Sequence, residues 1–259
     1  MRITKRRWTV ATRAACILWF TGAFAEPYPA FGQFGPIQVV DVETVQFHRN
    51  GLELAGTIFI PRSTDASPGL VLVPAPRAEE TAAYRRRVAE HFAGIGFTVL
   101  SYAPHRGRSI SGDHPSAAVA TALGAVEFLS AREGLQPERI GLVGFDDATR
   151  LLAHVATRQV PAFVVAVSPS GVGPGSGAAS NIRNTPPPRR DATLPTVQGL
   201  ALWQHVTTPV LVVFGGADAT IDRSGLIDRW VTNLVNPMSL VVTVSGGGHW
   251  LTEGPRSAP

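Results

Sequence analysis

The stretch RIGLVGFDDA, residues 139–148, decides how the rest of this 259-residue chain is interpreted. Its apolar run at 140–145 is typical of a short buried strand. The amphipathic segment ATRLLAHVATR at 148–158 predicts a helix directly afterwards. The segment therefore predicts a strand, a tight turn and a helix, with a carboxylate, Asp146, at the turn.

Strand and helix patterns alternate on both sides of this segment. A hairpin is predicted at 42–61, where apolar and polar residues alternate around Asn50-Gly51. Residues 170–196 are rich in Gly, Ser and Pro, which predicts a loop rather than a packed cap domain. Strands alternating with helices predict the α/β class, with a mostly parallel twisted sheet and helices on both faces. The remaining predicted strands are 69–76, 97–104, 161–169, 208–218 and 239–246, and the remaining predicted helices are 81–96, 116–133 and 225–235.

The N-terminal residues have the pattern of a secretory signal peptide. A basic start is followed by the apolar run AACILWFTGAFA at 14–25, which ends in a small-x-small cleavage signal. The apolar run is shorter than the roughly 20 residues that span a bilayer. We therefore expect a signal peptide at 1–25, an extended arm at 26–41, a folded α/β domain at 42–255, and a secreted or periplasmic mature protein.

Composition excludes several kinds of chemistry for that mature chain. Five of the 23 basic residues lie in 1–25, which leaves 18 basic against 19 acidic residues and no argument for binding nucleic acid or a membrane. The only cysteine is Cys16 and the only lysine is Lys5. The mature chain therefore has no thiolate nucleophile, no disulfide and no Schiff-base lysine.

The order of motifs resembles the α/β-hydrolase superfamily, in particular its bacterial esterase and dienelactone-hydrolase-like branches with a minimal cap. The likeness covers about 42–252 and depends on the hairpin, HRGRSISGD at 105–113, the turn at 144–148, and a late Asp and His. In that superfamily the turn has the pattern G-x-S-x-G and presents the nucleophile. Here Asp146 replaces the serine, and Ala148 replaces the last glycine and is expected to crowd the turn.

The resemblance also implies roles for two later residues. Asp218, after the strand VLVVFGGAD, matches the acid of the superfamily, and His249, in SGGGHWL, matches the base. Both follow strands, so they are expected to meet Asp146 at the carboxyl edge of the sheet, where open α/β folds bind ligands. The predicted catalytic residues are thus Asp146, Asp218 and His249. The predicted substrate contacts beside them are Ala75, Phe145, Asp147 and Trp250.

Two interpretations of Asp146 stay open. Haloalkane dehalogenases and epoxide hydrolases resemble this arrangement, because their elbow carries a nucleophilic Asp. Against that interpretation, the large cap and the halide-holding Trp of those enzymes are missing. Alternatively, acyl transfer has been lost: the sequence Pro74-Ala75-Pro76-Arg77 replaces the His-Gly of the oxyanion loop, and each proline removes a backbone N–H donor.

These alternatives give two functional hypotheses. The first is an exported hydrolase-like protein that acts on a small ester, lactone or related electrophile without a cofactor or metal; the second is a catalytically inactive homologue that binds a small molecule. Ser168 and Ser170 are weaker candidate nucleophiles, and no ligand spacing supports a metal at the acidic residues. Trp203 and Trp230 are candidate walls of an apolar pocket, although large aromatics more often belong to the core.

Overall fold

The computed structural model describes most of the predicted domain. The described residues are 40–49, 51–62, 67–75, 81–104, 115–169, 198–219, 221 and 225–251. The predicted signal peptide, nearly all of the N-terminal arm, the segment 105–113 and the loop 170–196 lie outside them. Within the described residues, no helix is both long enough and apolar enough to cross a membrane.

Eight strands form one sheet in the order β1-β2-β4-β3-β5-β6-β7-β8. The first two are antiparallel and joined at Gly51, whose φ of 76° suits the predicted two-residue turn. From β4 through β8 the neighbouring strands are parallel. The strands are β1 (Val40–Arg49), β2 (Leu52–Pro61), β3 (Gly69–Val73), β4 (Thr98–Tyr102), β5 (Ile140–Phe145), β6 (Val164–Val167), β7 (Val210–Gly215) and β8 (Leu240–Val244).

Five α-helices lie among the described residues, and they divide unevenly between the two faces of the sheet. One face packs against α1 alone, and the opposite face packs against the other four. The α/β-hydrolase architecture predicted from the sequence is thereby confirmed, with helices on both faces. The helices are α1 (Ala82–Gly94), α2 (Pro115–Ser130), α3 (Ala148–Ala156), α4 (Gln198–Trp203) and α5 (Leu226–Asn233).

The core follows from the strand sequences. Because side chains alternate along a strand, the continuous apolar run of β3 supplies both faces: Leu70 and Leu72 join the layer under α1, whereas Val71 and Val73 join the other. All five residues of β3 are buried. The central strands are therefore a rigid support for whatever side chains follow their carboxyl ends.

The structure decides between the two interpretations of Trp203 and Trp230, and it differs from the sequence prediction at one helix. Both tryptophans are buried in the core, as is usual for large aromatics, with their ring centroids 5.0 Å apart. Helix α4, which carries Trp203, was not predicted because six residues after a proline-rich stretch are too few to show a helical period. Both tryptophans instead join α4 and α5 to the sheet.

Candidate active site

Asp146 lies on a strained turn between β5 and α3. Its φ is 49°, a left-handed conformation that non-glycine residues rarely adopt. Its N–H donates to the carbonyl of Val167 at 2.9 Å, and its own carbonyl accepts from the Thr149 N–H at 3.1 Å and the Thr149 hydroxyl at 2.6 Å. These bonds hold the turn on both sides and present the Asp146 carboxylate at the carboxyl edge of the sheet.

Ala148 fits into this turn because position 144 is glycine. A Cβ atom placed on Gly144 would lie 3.1 Å from the Cβ of Ala148 and 3.2 Å from Leu152, which is tighter than ordinary contact. The expected crowding is therefore real, and the absence of a side chain at Gly144 relieves it. A side chain at position 144 would fit only if Ala148 or Leu152 moved by a few tenths of an ångström.

The loop that carries His249 crosses directly over the end of β7. A Cβ atom on Gly215 would lie 2.2 Å from the carbonyl oxygen of Gly248, so only glycine allows this approach. Further along, the N–H of Ala217 donates to the Gly247 carbonyl at 2.8 Å. The glycine-rich stretches before Asp218 and before His249 are thus paired backbone to backbone, and this pairing brings the two side chains together.

The imidazole of His249 lies between two carboxylates. Its Nδ1 lies 2.8 Å from Oδ2 of Asp218, a hydrogen-bond distance, and its Nε2 lies 3.6 Å from Oδ1 of Asp146, an ion-pair distance. The Asp218 side chain is 1% exposed, whereas those of His249 and Asp146 are each 16% exposed. The structure therefore brings all three predicted catalytic residues to one place, with the Asp146 end partly exposed to solvent.

The charges in this arrangement determine the protonation of His249. Burial lowers the pKa of His249, but the hydrogen bonds and charges of Asp146 and Asp218 outweigh burial and raise that pKa to about 9. At neutral pH the ring is an imidazolium, whose Nδ1–H donates to Asp218 and whose Nε2–H faces Asp146. A resting imidazolium donates a proton before it can accept one.

The four predicted substrate contacts have different surroundings. Ala75 is buried just after β3, and Phe145 is 1% exposed under α1. Asp147 forms an ion pair with Arg150 at 3.8 Å. Trp250 is partly buried and its ring packs against those of His249, Phe145 and Tyr84. The contact of these four residues with a substrate stays a prediction. The rings of Phe145 and Trp250 already pack against other side chains of the protein.

Two further residues lie in this region: Tyr84, which the sequence did not predict to be part of the site, and Ser168, a weaker candidate nucleophile. Tyr84 on α1 contacts both Phe145 and Trp250; it stands on the apolar face of a predicted helix, but no pattern named its partners. Ser168, which follows β6, is 1% exposed and has a φ of 45°. The weaker candidate Ser170 and the oxyanion-loop residues Pro76 and Arg77 lie outside the described residues.

Fold and site together define the class: the chain has the α/β-hydrolase fold, with an Asp–His–Asp arrangement where an esterase carries serine. No protein-family model matches the sequence. Two uncharacterized proteins from strains of Mycobacterium tuberculosis are each 28% identical over 228 residues, which cover 87% of this chain and 77% of each relative.

Solved structures agree on the fold at low sequence identity. A dienelactone hydrolase from Anabaena variabilis is similar with a TM-score of 0.62 at 16% identity, over 83% of this chain and 90% of that one. A Pyrococcus furiosus esterase gives a TM-score of 0.61 at 15% identity, over 82% and 84%. A dienelactone hydrolase-like promiscuous phosphotriesterase from metagenomic libraries gives 0.54 at 14%, over 81% and 83%. The resemblance to the esterase and dienelactone-hydrolase branch is thus confirmed as a likeness of fold.

Proposed function

We propose that this protein is a hydrolase of small electrophiles, an ester, a lactone or a related compound such as an epoxide, with Asp146 as its nucleophile. The single observation that carries the proposal is the position of the His249 imidazole, 2.8 Å from Asp218 and 3.6 Å from Asp146. The hydrolase neighbours in fold support the reaction class. A carboxylate needs no base for the first step, because it is already charged at neutral pH.

The resting imidazolium suits a substrate whose leaving group is oxygen. The Asp146 carboxylate attacks the electrophilic carbon and forms a covalent ester or anhydride, while the bond from that carbon to its oxygen breaks. The departing oxygen takes the proton from Nε2 of His249. This step leaves a neutral Asp146 adduct and a neutral imidazole.

The second step restores the starting state. Covalent modification removes the negative charge of Asp146, so one of the two charges that raise the pKa of His249 is lost. The neutral imidazole, oriented by Asp218, takes a proton from water, and the resulting hydroxide attacks the carbonyl carbon of Asp146. The hydroxyl proton of the tetrahedral adduct passes to the departing product oxygen, so product is released and both the Asp146 carboxylate and the imidazolium are regenerated.

Labelled water tests the nucleophile directly. The protein is incubated in heavy-oxygen water with p-nitrophenyl acetate, γ-butyrolactone and styrene oxide in turn, and the peptide containing Asp146 is analysed by mass spectrometry. We expect turnover of at least one probe and solvent oxygen in the Asp146 carboxylate after repeated cycles. Turnover without label would overturn the nucleophile.

An amide substitution supplies the matched comparison. Asp146→Asn keeps the shape but removes the nucleophilic charge, so turnover is expected to fall by about a thousandfold or more. Asp228→Asn changes an exposed carboxylate on α5 and is expected to leave turnover within twofold. Equal rates for Asp146→Asn and the wild type contradict the proposed role.

A binding function is the second candidate, and one observation favours it. Pro74, directly after β3, lacks a backbone N–H in the loop where the superfamily places an oxyanion donor. A binding protein of this kind would hold the same small electrophile without converting it. Saturable binding of a probe by calorimetry, with no turnover of any of the three, would favour this candidate.

The proposed site of action is outside the cytoplasm. It depends on the signal-peptide pattern at 1–25, which lies outside the described residues. Expression in a Gram-negative host with periplasmic extraction tests it: the mature N-terminus is expected at Glu26. A full-length cytoplasmic product would contradict export.

A further inference from the structure

Tyr84, which is distant in the chain, contacts both the turn that carries Asp146 and the loop that carries His249. It lies on α1, and its ring packs edge-on against Phe145 with centroids 5.4 Å apart and against Trp250 with centroids 5.2 Å apart. Its hydroxyl donates a hydrogen bond to the carbonyl of Trp250 at 3.1 Å. Phe145 directly precedes Asp146, and Trp250 directly follows His249. The Tyr84 side chain therefore contacts a sequence neighbour of each of these two candidate catalytic residues.

A contact of this kind limits the conformational freedom of the loop that carries His249. Three consecutive glycines, 246–248, precede the histidine, and glycine leaves the backbone free to adopt many conformations. On the Asp218 side, the backbone of this loop is fixed by the Ala217 N–H bond to the Gly247 carbonyl. The Tyr84 hydroxyl fixes the following segment, at Trp250.

We propose that Tyr84 is a positioning residue that sets the separation between His249 and Asp146. Its two ring contacts hold Phe145 and Trp250 at a fixed distance from each other. Its hydroxyl joins the histidine loop to α1 through a hydrogen bond. The bond between His249 and Asp218 has its own backbone support and does not depend on Tyr84. The activity part of this inference depends on the proposed function; the geometric part does not.

The conservative substitution Tyr84→Phe isolates the hydroxyl, because the ring and its packing remain. The matched control is Tyr102→Phe, which removes a tyrosine hydroxyl from β4, where the ring packs against Phe47 in the opposite layer. Nuclear magnetic resonance of histidine-labelled protein follows the His249 ring, assigned by its loss in His249→Gln.

A selective change is expected in Tyr84→Phe. The low-field Nδ1–H resonance of His249, which reports the bond to Asp218, is retained. The pKa of His249 falls by about one unit from its value of about 9, because the charge of Asp146 is held less closely. For whichever probe is turned over, kcat falls roughly tenfold while KM changes less than twofold. Tyr102→Phe leaves the His249 titration unchanged.

Two results would overturn the inference. One is a His249 titration in Tyr84→Phe that coincides with that of the wild type. The other is an equal shift in Tyr102→Phe, which would indicate a general loss of packing. If no probe is turned over, the proposed hydrolase function fails, but the titration still decides the role of Tyr84.

Discussion

Asp146 and Ser168 end neighbouring parallel strands with nearly the same backbone and with opposite surroundings. Their φ angles are 49° and 45°, and each N–H donates to a carbonyl of the next strand, that of Val167 and that of Val213. The Asp146 side chain is partly exposed and faces His249. The hydroxyl of Ser168 is buried and has no hydrogen-bond partner among the described residues.

The comparison separates backbone geometry from chemistry. A left-handed turn at a strand end presents a side chain, but a reactive group also needs a proton partner and access to substrate. Asp146 has an imidazole beside it and a side chain that is 16% exposed, whereas the Ser168 hydroxyl is buried and has no partner among the described residues. Of the two turns, the one at Asp146 therefore fits the proposed nucleophile better, although its residue type is the unusual one.

Asp146→Ser places a hydroxyl at both strand ends and has the largest expected effect. The carboxylate reaction is lost, so turnover of whichever probe the wild type converts falls by about a thousandfold or more. Hydrolysis of p-nitrophenyl acetate is not gained, because Pro74 and Pro76 remove backbone donors from the oxyanion loop. Serine-esterase activity above that of the wild type would show that sufficient oxyanion donors remain.

The Asp146 turn, unlike the Ser168 turn, places a carboxylate beside His249, and this contact predicts a pH dependence of the free energy of unfolding. Folding raises the pKa of His249 from 6.5 to about 9, so the stabilisation is fully present below pH 6.5 and is lost as pH rises through 9. The loss is on the order of 3 kcal/mol. Urea unfolding from pH 6.5 to 10 measures it, and His249→Gln should lack the decline.

Two other histidines do not interfere in that range. Burial lowers the pKa of His91, and burial with the charge of Arg158 lowers that of His154. A lowered histidine pKa costs stability only when pH falls below 6.5. An equal decline in wild type and His249→Gln above pH 6.5 would therefore show that the imidazolium between the two carboxylates does not stabilise the fold.

Ser168→Ala has the smallest expected effect and the opposite sign. Removing a buried hydroxyl that makes no bond should raise the free energy of unfolding by about 1 kcal/mol. The matched control is Ser239→Ala, because the Ser239 hydroxyl accepts from the Val210 N–H at 3.0 Å and its loss should cost about 1 kcal/mol. A loss of stability in Ser168→Ala would mean that its hydroxyl has a partner after all.

Much of the fold could be predicted because the signals were local. Continuous apolar runs such as β3 need burial on both faces, and Asn50-Gly51 favours one kind of turn. Helix α4 had no such signal, since six residues do not establish a period. The core position of Trp203 agrees with the general tendency of large aromatics, but its place on a helix was not predicted.

For the candidate site, the sequence could predict which residues lie at the same edge of the sheet but not the distances between them. That order places Asp146, Asp218 and His249 at one edge of the sheet. The distances between them depend on contacts across the chain, such as the Tyr84 hydroxyl on the Trp250 carbonyl and the bare backbone of Gly215 under the histidine loop. Neither contact leaves a periodic or motif-like trace in the sequence.

The contact at Gly215 also limits how this scaffold can be altered. Any side chain there would collide with the Gly247 and Gly248 carbonyls, so the acid cannot be moved back to this position by mutation alone. Backbone hydrogen bonds also join the segments 215–218 and 244–249, so a graft of one without the other is expected to separate Asp218 from His249. Directed-evolution libraries aimed at new substrates should hold both segments constant and vary the residues around Asp146.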